Sequence, residues 1–161
     1  MKYIKGNILE EFEKSEDRCD LIHQVNCQGV MGAGLAKAIR NKYPNHYTDY
    51  KNMIGMEEHI EYILGDCFQT RVGNMKYIVG VYGQDSYGRR KRHTNYAALS
   101  SGICKYISAS GYGVTRRQPT LLIPKGIGCG LGGGDWNIVE ILLKDIEDMY
   151  NVEFTCVELK K

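Results

Sequence analysis

The chain has 161 residues, of which 43% are hydrophobic and 25% charged, with 3 prolines, a balance that excludes a disordered or fibrous protein and fits one domain. Lysine plus arginine number 21 against 19 aspartate plus glutamate, so the net charge of +2 supplies no overall field for nucleic acid or an anionic membrane. Any such binding must come from a local patch.

In chain order, Lys2 to Lys5 predicts a short strand and Cys19 to Asn26 a second, the latter ending in an apolar, β-branched run. Glycines follow at once, and Gly34 to Arg40 then predicts a helix, with Leu35 and Ile39 four apart, stopped near Pro44. Pro44 can open a further short helix through Tyr47, Tyr50 and Ile54 to Gly55. Glu61 to Cys67 and Met75 to Tyr82 read as two strands, joined as a hairpin through Gly73-Asn74. Tyr96, Leu99, Ile103, Tyr106 and Ile107 recur at helical spacing, with Thr94 or Asn95 as the cap and Gly111 and Gly113 as the stop. Thr120 to Pro124 is apolar throughout, as befits a central strand buried on both faces. Asp135 caps a last helix with Trp136, Val139, Leu142, Leu143, Ile146 and Met149 as its apolar stripe, and Val152 to Leu159 closes with a strand.

Strands alternating with helices predict an α/β fold, a layered sandwich around a mixed, mostly parallel sheet. Ligands of such sheets bind outside the carboxyl ends of the strands, so the loops after Asn26, Tyr82 and Pro124 should face one crevice. No apolar run approaches the roughly 20 residues that span a bilayer. Met1 to Gly6 is not a signal peptide, so no membrane partner and a cytoplasmic location are expected. The six cysteines contain no C-x-x-C pair and read as unreactive thiols rather than as zinc ligands or a disulfide framework.

The composition is unusual in its 19 glycines and 12 tyrosines. Two glycine-rich loops run from a strand into a helix: Asn26-Cys27-Gln28-Gly29-Val30-Met31-Gly32-Ala33-Gly34 and Gly126-Ile127-Gly128-Cys129-Gly130-Leu131-Gly132-Gly133-Gly134. Either each set only shapes a tight turn, or backbone amides at a helix N-terminus face an anion, and two such clamps at one sheet edge fit two linked phosphates. Gly128-x-Gly130-x-x-Gly133 matches the dinucleotide fingerprint, but that motif opens a nucleotide-binding fold, and here it stands near the end. A cysteine phosphatase needs an arginine six positions after its nucleophile; Asp135 and Ala33 occupy those places after Cys129 and Cys27. His23 is either a satisfied core histidine or an acid or base, with Asn26 and Gln28 just beyond it to hold a water or a sugar hydroxyl. Arg89-Arg90-Lys91-Arg92 is either a solvated loop or a contact for phosphates or RNA.

Tyr3-Ile4-Lys5-Gly6-Asn7-Ile8-Leu9, Leu21-Ile22-His23-x-x-Asn26-Cys27-x-Gly29-x-x-Gly32-x-Gly34 and Arg40-Asn41-Lys42-Tyr43-Pro44 resemble the macrodomains, ADP-ribose-binding α/β/α modules, and within them the ADP-ribose 1''-phosphate phosphatase branch. Gly128 to Trp136 is similar to the second loop of bacterial and phage macrodomains. The resemblance covers nearly the whole chain. It implies adenine near Asn7 and Ile8, and the distal ribose near Val25, Asn26 and Gln28, flanked by Tyr82 and Gln84. The diphosphate would lie along Gly32, Ala33 and Gly34 and along Gly128, Cys129, Gly130, Leu131, Gly132 and Gly133. Many macrodomains carry Asp where Asn7 stands. The lysine and aspartate of glutamyl-ADP-ribose hydrolases are replaced by Gly83 or Gln84 and by Gly132, which does not support lysine-based chemistry.

The expectation is a monomeric macrodomain over residues 1–161, without cofactor or metal, that removes phosphate from ADP-ribose 1''-phosphate with His23, Asn26 and Gln28 as catalytic residues. Its rivals are hydrolysis of another ADP-ribose adduct, on protein or nucleic acid, and a reader that binds ADP-ribose without turnover.

Overall fold

The computed structural model describes residues 1–56, 63–112 and 118–160. Six strands and five helices occur among them: β1 (Lys2–Lys5), α1 (Ile8–Lys14), β2 (Cys19–Asn26), α2 (Gly34–Lys42), α3 (Pro44–Met56), β3 (Cys67–Gly73), β4 (Lys76–Gln84), α4 (Tyr96–Ala109), β5 (Thr120–Pro124), α5 (Trp136–Tyr150) and β6 (Phe154–Glu158). The sheet order is β1-β6-β5-β2-β4-β3. Every pairing is parallel except β3 with β4.

Period-two alternation sorts the side chains into layers. Ile22, Val79, Val81, Leu121 and Ile123 face α4 and α5. Leu21, Ile78 and Leu122 point the other way, onto α1 and α2. Val25, Phe68 and Tyr82 meet Tyr50 of α3 on that second face. The result is the expected three-layer arrangement. β2 and β4 are buried along most of their length because both faces of the central sheet are covered.

The parallel strands β1, β2, β4, β5 and β6 end at one sheet edge, so Asn7, Asn26, Gln84 and Lys125 all emerge there. Helix ends follow local chemistry. Asn95 Oδ1 accepts from Ala98 N at 3.1 Å, and Asp135 Oδ1 from Asn137 N at 2.9 Å, each closing one orphan donor of a helix N-terminus.

Several expectations shift. The strand expected at Glu61 to Cys67 is not there: 63–65 form a turn, the strand is Cys67–Gly73, and positions 61 and 62 lie outside the described residues. As an edge strand, β3 alternates buried and exposed positions and so looks polar in sequence. The hairpin through Gly73-Asn74 forms, with Met75 at φ 53°. Helix α1, absent from the sequence reading, is short; Asn7 caps it, and Ile8, Leu9 and Phe12 are its buried side. On α5 the expected stripe stops before Met149, which is exposed; Glu147 is buried instead, 2.9 Å from the Met1 amine and accepting from Phe154 N at 2.7 Å. Among the described residues no helix is long and apolar enough to cross a membrane.

Candidate active site

At the carboxyl edge of the sheet, the loops after β2, β4 and β5 enclose a cavity of about 660 Å³. Asn26, Gly32, Ala33 and Gly34 line it from the first glycine loop, Gln84 and Tyr87 from the loop after β4, and Gly128, Gly130, Leu131 and Gly132 from the second glycine loop. His23, Gln24 and Val25 form its floor on β2.

The first loop is organised by Asn26. Its Oδ1 accepts from Gln28 N at 2.9 Å, from Val30 N at 3.3 Å and from the Tyr50 hydroxyl at 2.8 Å, while its Nδ2 donates to Val30 O at 2.7 Å. One N–H of this amide is left for a ligand or a water. Asn26→Ala leaves the Gln28 and Val30 amides without their acceptor, while the Tyr50 hydroxyl keeps its 2.6 Å bond to the backbone carbonyl of residue 26, so we expect it to cost on the order of 2 kcal/mol of stability in urea unfolding. A stability within 0.5 kcal/mol of the parent, roughly the range of neutral surface changes, would refute this role.

The loop delivers the chain into α2 with Ala33 as N-cap, which provides no side-chain hydrogen bond, and with no acidic residue in the first turn. Gly34, Leu35 and Ala36, the first residues of that helix, line the cavity. An uncapped helix N-terminus facing an open cavity is an anion site, because its amides are unsatisfied and the helix dipole adds positive potential there. The expected second helix-end clamp is weakened: Asp135 accepts from Asn137 N and sets its own negative charge at the N-terminus of α5, where an anion would have to lie.

The second loop works through its own backbone. Amides of Ile127, Cys129, Gly133 and Gly134 close its turns, whereas Gly128, Gly130, Leu131 and Gly132 donate no turn bond among the described residues. Most of its glycines are required by the loop itself. Gly126, Gly128 and Gly133 have φ of +82°, +74° and +71°. A Cβ at Gly132 would collide with Thr94 Oγ1 and lie 2.7 Å from Gly128 O, and one at Gly134 would lie 2.9 Å from Gly128 O. Gly130 alone among them has ordinary φ and open space around its missing side chain. The loop itself therefore does not require glycine at this position.

A polar node that the sequence reading missed fastens this loop to the sheet. Gln24 Nε2 donates to Gln84 Oε1 at 2.6 Å and to Thr94 Oγ1 at 2.9 Å; the Thr94 hydroxyl donates to Gly128 O at 2.6 Å. Backbone amides of His93 and Thr94 add two bonds of 2.9 Å to Gly132 O. The available signal was Gln24 itself, a polar residue in an apolar strand two positions before Asn26.

His23 is a correction. Only 2% exposed, its Nε2 lies 2.9 Å from His46 Nε2. His46 Nδ1 lies 3.0 Å from Thr70 Oγ1, whose hydroxyl donates to Asp49 at 2.6 Å. Burial pushes the His23 pKa down to about 4, so the ring stays neutral, with a single N–H, near neutral pH. It belongs to the floor of the cavity but is almost wholly buried, neutral and bonded to His46, an arrangement that suits packing better than proton transfer to a substrate. Tyr82 is a second correction: it is fully buried, stacked on Tyr50 beneath the sheet edge, because its strand position faces α3. Gln28 is exposed, outside the lining, with Nε2 donating to Asp85 O at 3.2 Å. Cys129 points its thiol at Ile127 O, 3.3 Å away, and burial raises its pKa to about 11, which excludes a thiolate nucleophile. Asn7 caps α1 through Oδ1 and, like Ile8, stands at the same edge outside the cavity lining.

The cavity is electrostatically sparse. Its ionisable lining side chains among the described residues are His23, Tyr87 and Lys125, and Lys125 pairs with Glu158 at 3.1 Å. It offers backbone amides, a helix N-terminus and neutral amide side chains, which is the equipment for an extended anionic ligand with sugar hydroxyls.

The sequence and fold together define a class. The chain belongs to the Macro domain family, whose model matches residues 22–143. The whole chain is similar to an ADP-ribose 1''-phosphate phosphatase of Meyerozyma guilliermondii, 24% identical, covering 94% of this chain and 97% of that one. Among solved structures it resembles a protein of unknown function from Bacteroides thetaiotaomicron (TM-score 0.80, 22% identity, 98% and 97% of the two chains). It also resembles Thermosipho africanus DarTG in complex with ADP-ribose (TM-score 0.73, 20% identity, 99% of this chain and 42% of that one).

Proposed function

We propose that residues 1–161 form a single macrodomain that binds ADP-ribose in the cavity between the two glycine loops and hydrolyses the phosphate from ADP-ribose 1''-phosphate. One observation carries the reading: the uncapped N-terminus of α2 and the unconstrained Gly130 line the same cavity, where a diphosphate needs amides and close backbone approach. The phosphatase named among the relatives supports the reaction, and the DarTG complex supports the ligand.

In this reading the diphosphate rests on the amides of Gly34 to Ala36 and of Gly130 to Gly132, and the distal ribose extends toward Asn26 and Gln84. Adenine would continue along the sheet edge toward Asn7 and Ile8, whose cap leaves Asn7 Oδ1 with acceptor capacity for an amino group. The free N–H of Asn26 holds the attacking water, and backbone amides stabilise the charge that develops on the transferred phosphoryl group. Among the described residues no lining carboxylate or exposed histidine serves as base, so the phosphate oxygens of the substrate take the water proton and the departing ribose oxygen leaves as the hydroxyl with it. Phosphate-monoester hydrolysis is among the slowest uncatalysed reactions, and a site this spare gives modest turnover. The free thiols of all six cysteines suit the reducing cytoplasm to which we assign the protein.

Calorimetric titration with ADP-ribose followed by phosphate release from ADP-ribose 1''-phosphate tests the reading. Binding with release is expected. Binding without release makes the protein a reader or a hydrolase of another ADP-ribose adduct, and absence of binding refutes the cavity assignment.

A further inference from the structure

A second pocket, of about 460 Å³, opens beside the first on the outer side of the loop between β4 and α4. Asp85, Lys91, Arg92, His93, Tyr96 and Ala97 line it. Two cationic side chains against one carboxylate give it a positive balance, and Arg89 and Arg90 lie in the same loop. Tyr96 and Ala97 are the first residues of the 14-residue helix α4, and the cap from Asn95 goes to Ala98 N, beyond both of them. The Tyr96 and Ala97 amides therefore stand at the positive end of the helix dipole, on the pocket wall.

An independent observation points to a ligand. The His93 side chain is only 7% exposed, yet its Nδ1 has no hydrogen-bond partner among the described residues. Asp85 Oδ1 stands 3.8 Å from it, beyond hydrogen-bond reach, and His93 and Asp85 both line the pocket. A buried polar atom without a partner costs free energy unless something fills the space before it. Arg92 is held in place with its guanidinium 4.6 Å from the Tyr96 ring centroid, which pre-orders a cation at the mouth.

We propose that this pocket binds a phosphate group, with the Tyr96 and Ala97 amides and His93 Nδ1 as hydrogen-bond donors and Lys91 and Arg92 as counter-charges. The site is separate from the glycine-loop cavity and does not depend on the ligand assigned to that cavity. It is joined to the cavity mechanically, because the His93 and Thr94 amides both bond Gly132 O. A phosphate here would steady the second glycine loop as well, and a substrate bearing an anionic group beyond the cavity would span both sites.

Inorganic phosphate titrated into the ¹⁵N-labelled protein, against sodium chloride of equal ionic strength, tests this. Saturable shifts of the Tyr96 and Ala97 amides and the His93 ring are expected, with a dissociation constant on the order of 1 mM. The double variant Lys91→Gln/Arg92→Gln should weaken that binding about tenfold while the amide spectrum away from the pocket and the melting temperature stay those of the parent. A short oligothymidylate distinguishes the source: the same shifts with it assign a phosphodiester, and shifts with inorganic phosphate alone assign a free phosphate or monoester. Equal shifts with chloride, no saturation, or shifts confined to the amides of Gly34 to Ala36 and Gly130 to Gly132 would each overturn the site.

Discussion

Gly130→Glu is expected to weaken ADP-ribose binding at least about 100-fold while leaving the melting temperature within the scatter of the parent. The backbone at 130 has φ in the ordinary range and nothing lies within 4 Å of where a Cβ would be, so the fold tolerates a side chain. That side chain would enter the cavity that Gly130 lines and bring a carboxylate to a proposed diphosphate site, where like charges cost several kcal/mol. Gly130→Ala, small and neutral, should lose far less. The control is Gly133→Glu: with φ at +71° and the Arg92 Cα 3.3 Å from a new Cβ, it should lower the melting temperature as well as affinity. Unchanged affinity in Gly130→Glu would remove the diphosphate from this loop.

Acid should unfold this protein early. His23 and His46 are buried and held neutral, and burial lowers both pKa values, His46 further than His23 because the neighbouring imidazole adds to the effect. A histidine whose folded pKa lies below its unfolded value binds protons more readily when unfolded, so the stability it contributes is complete above about pH 6.5 and declines as pH falls. With the folded pKa of His23 near 4, this residue alone withdraws about 3 kcal/mol between pH 6.5 and 4. His46 acts in the same direction. Asp20 opposes them: its pKa is raised by burial, so acid relieves rather than costs there. Unfolding free energies across pH 7 to about 4.5 should therefore fall steeply in the parent and less steeply in His23→Gln/His46→Gln, whose lower starting stability does not affect the slope. Parallel curves would mean that the pair is not the acid-sensitive element.

These two expectations separate the roles that one short stretch of β2 combines. His23 faces α3 and belongs to stability, Gln24 faces α4 and holds the second glycine loop, and Asn26 turns at the strand end to build the first. A variant at His23 that loses activity thus reports on the core beneath the cavity. Asn26 and Gly130, which touch the cavity itself, are the positions where affinity and stability can be read apart.

The sequence by itself determined the layered α/β architecture, because strand and helix periods are local properties and the apolar runs of β2, β4 and β5 demand burial on both faces. It also determined which loops matter, since the glycine clusters follow strand ends and in such sheets those ends converge. Edge and short elements were the hard ones: β3 is half exposed, and α1 is only seven residues long. What only the tertiary structure decided is which way each polar side chain points and what already occupies it. His23 and Tyr82 look like site residues until the pleat turns them onto His46 and Tyr50. The glycines of the second loop look equivalent until packing against Thr94 and Gly128 accounts for some of them and positive φ for others, leaving Gly130 as the one whose missing side chain the loop does not explain. For His23 and Gln24 the partners stand 23 to 70 residues away in the chain, and no local pattern encodes them.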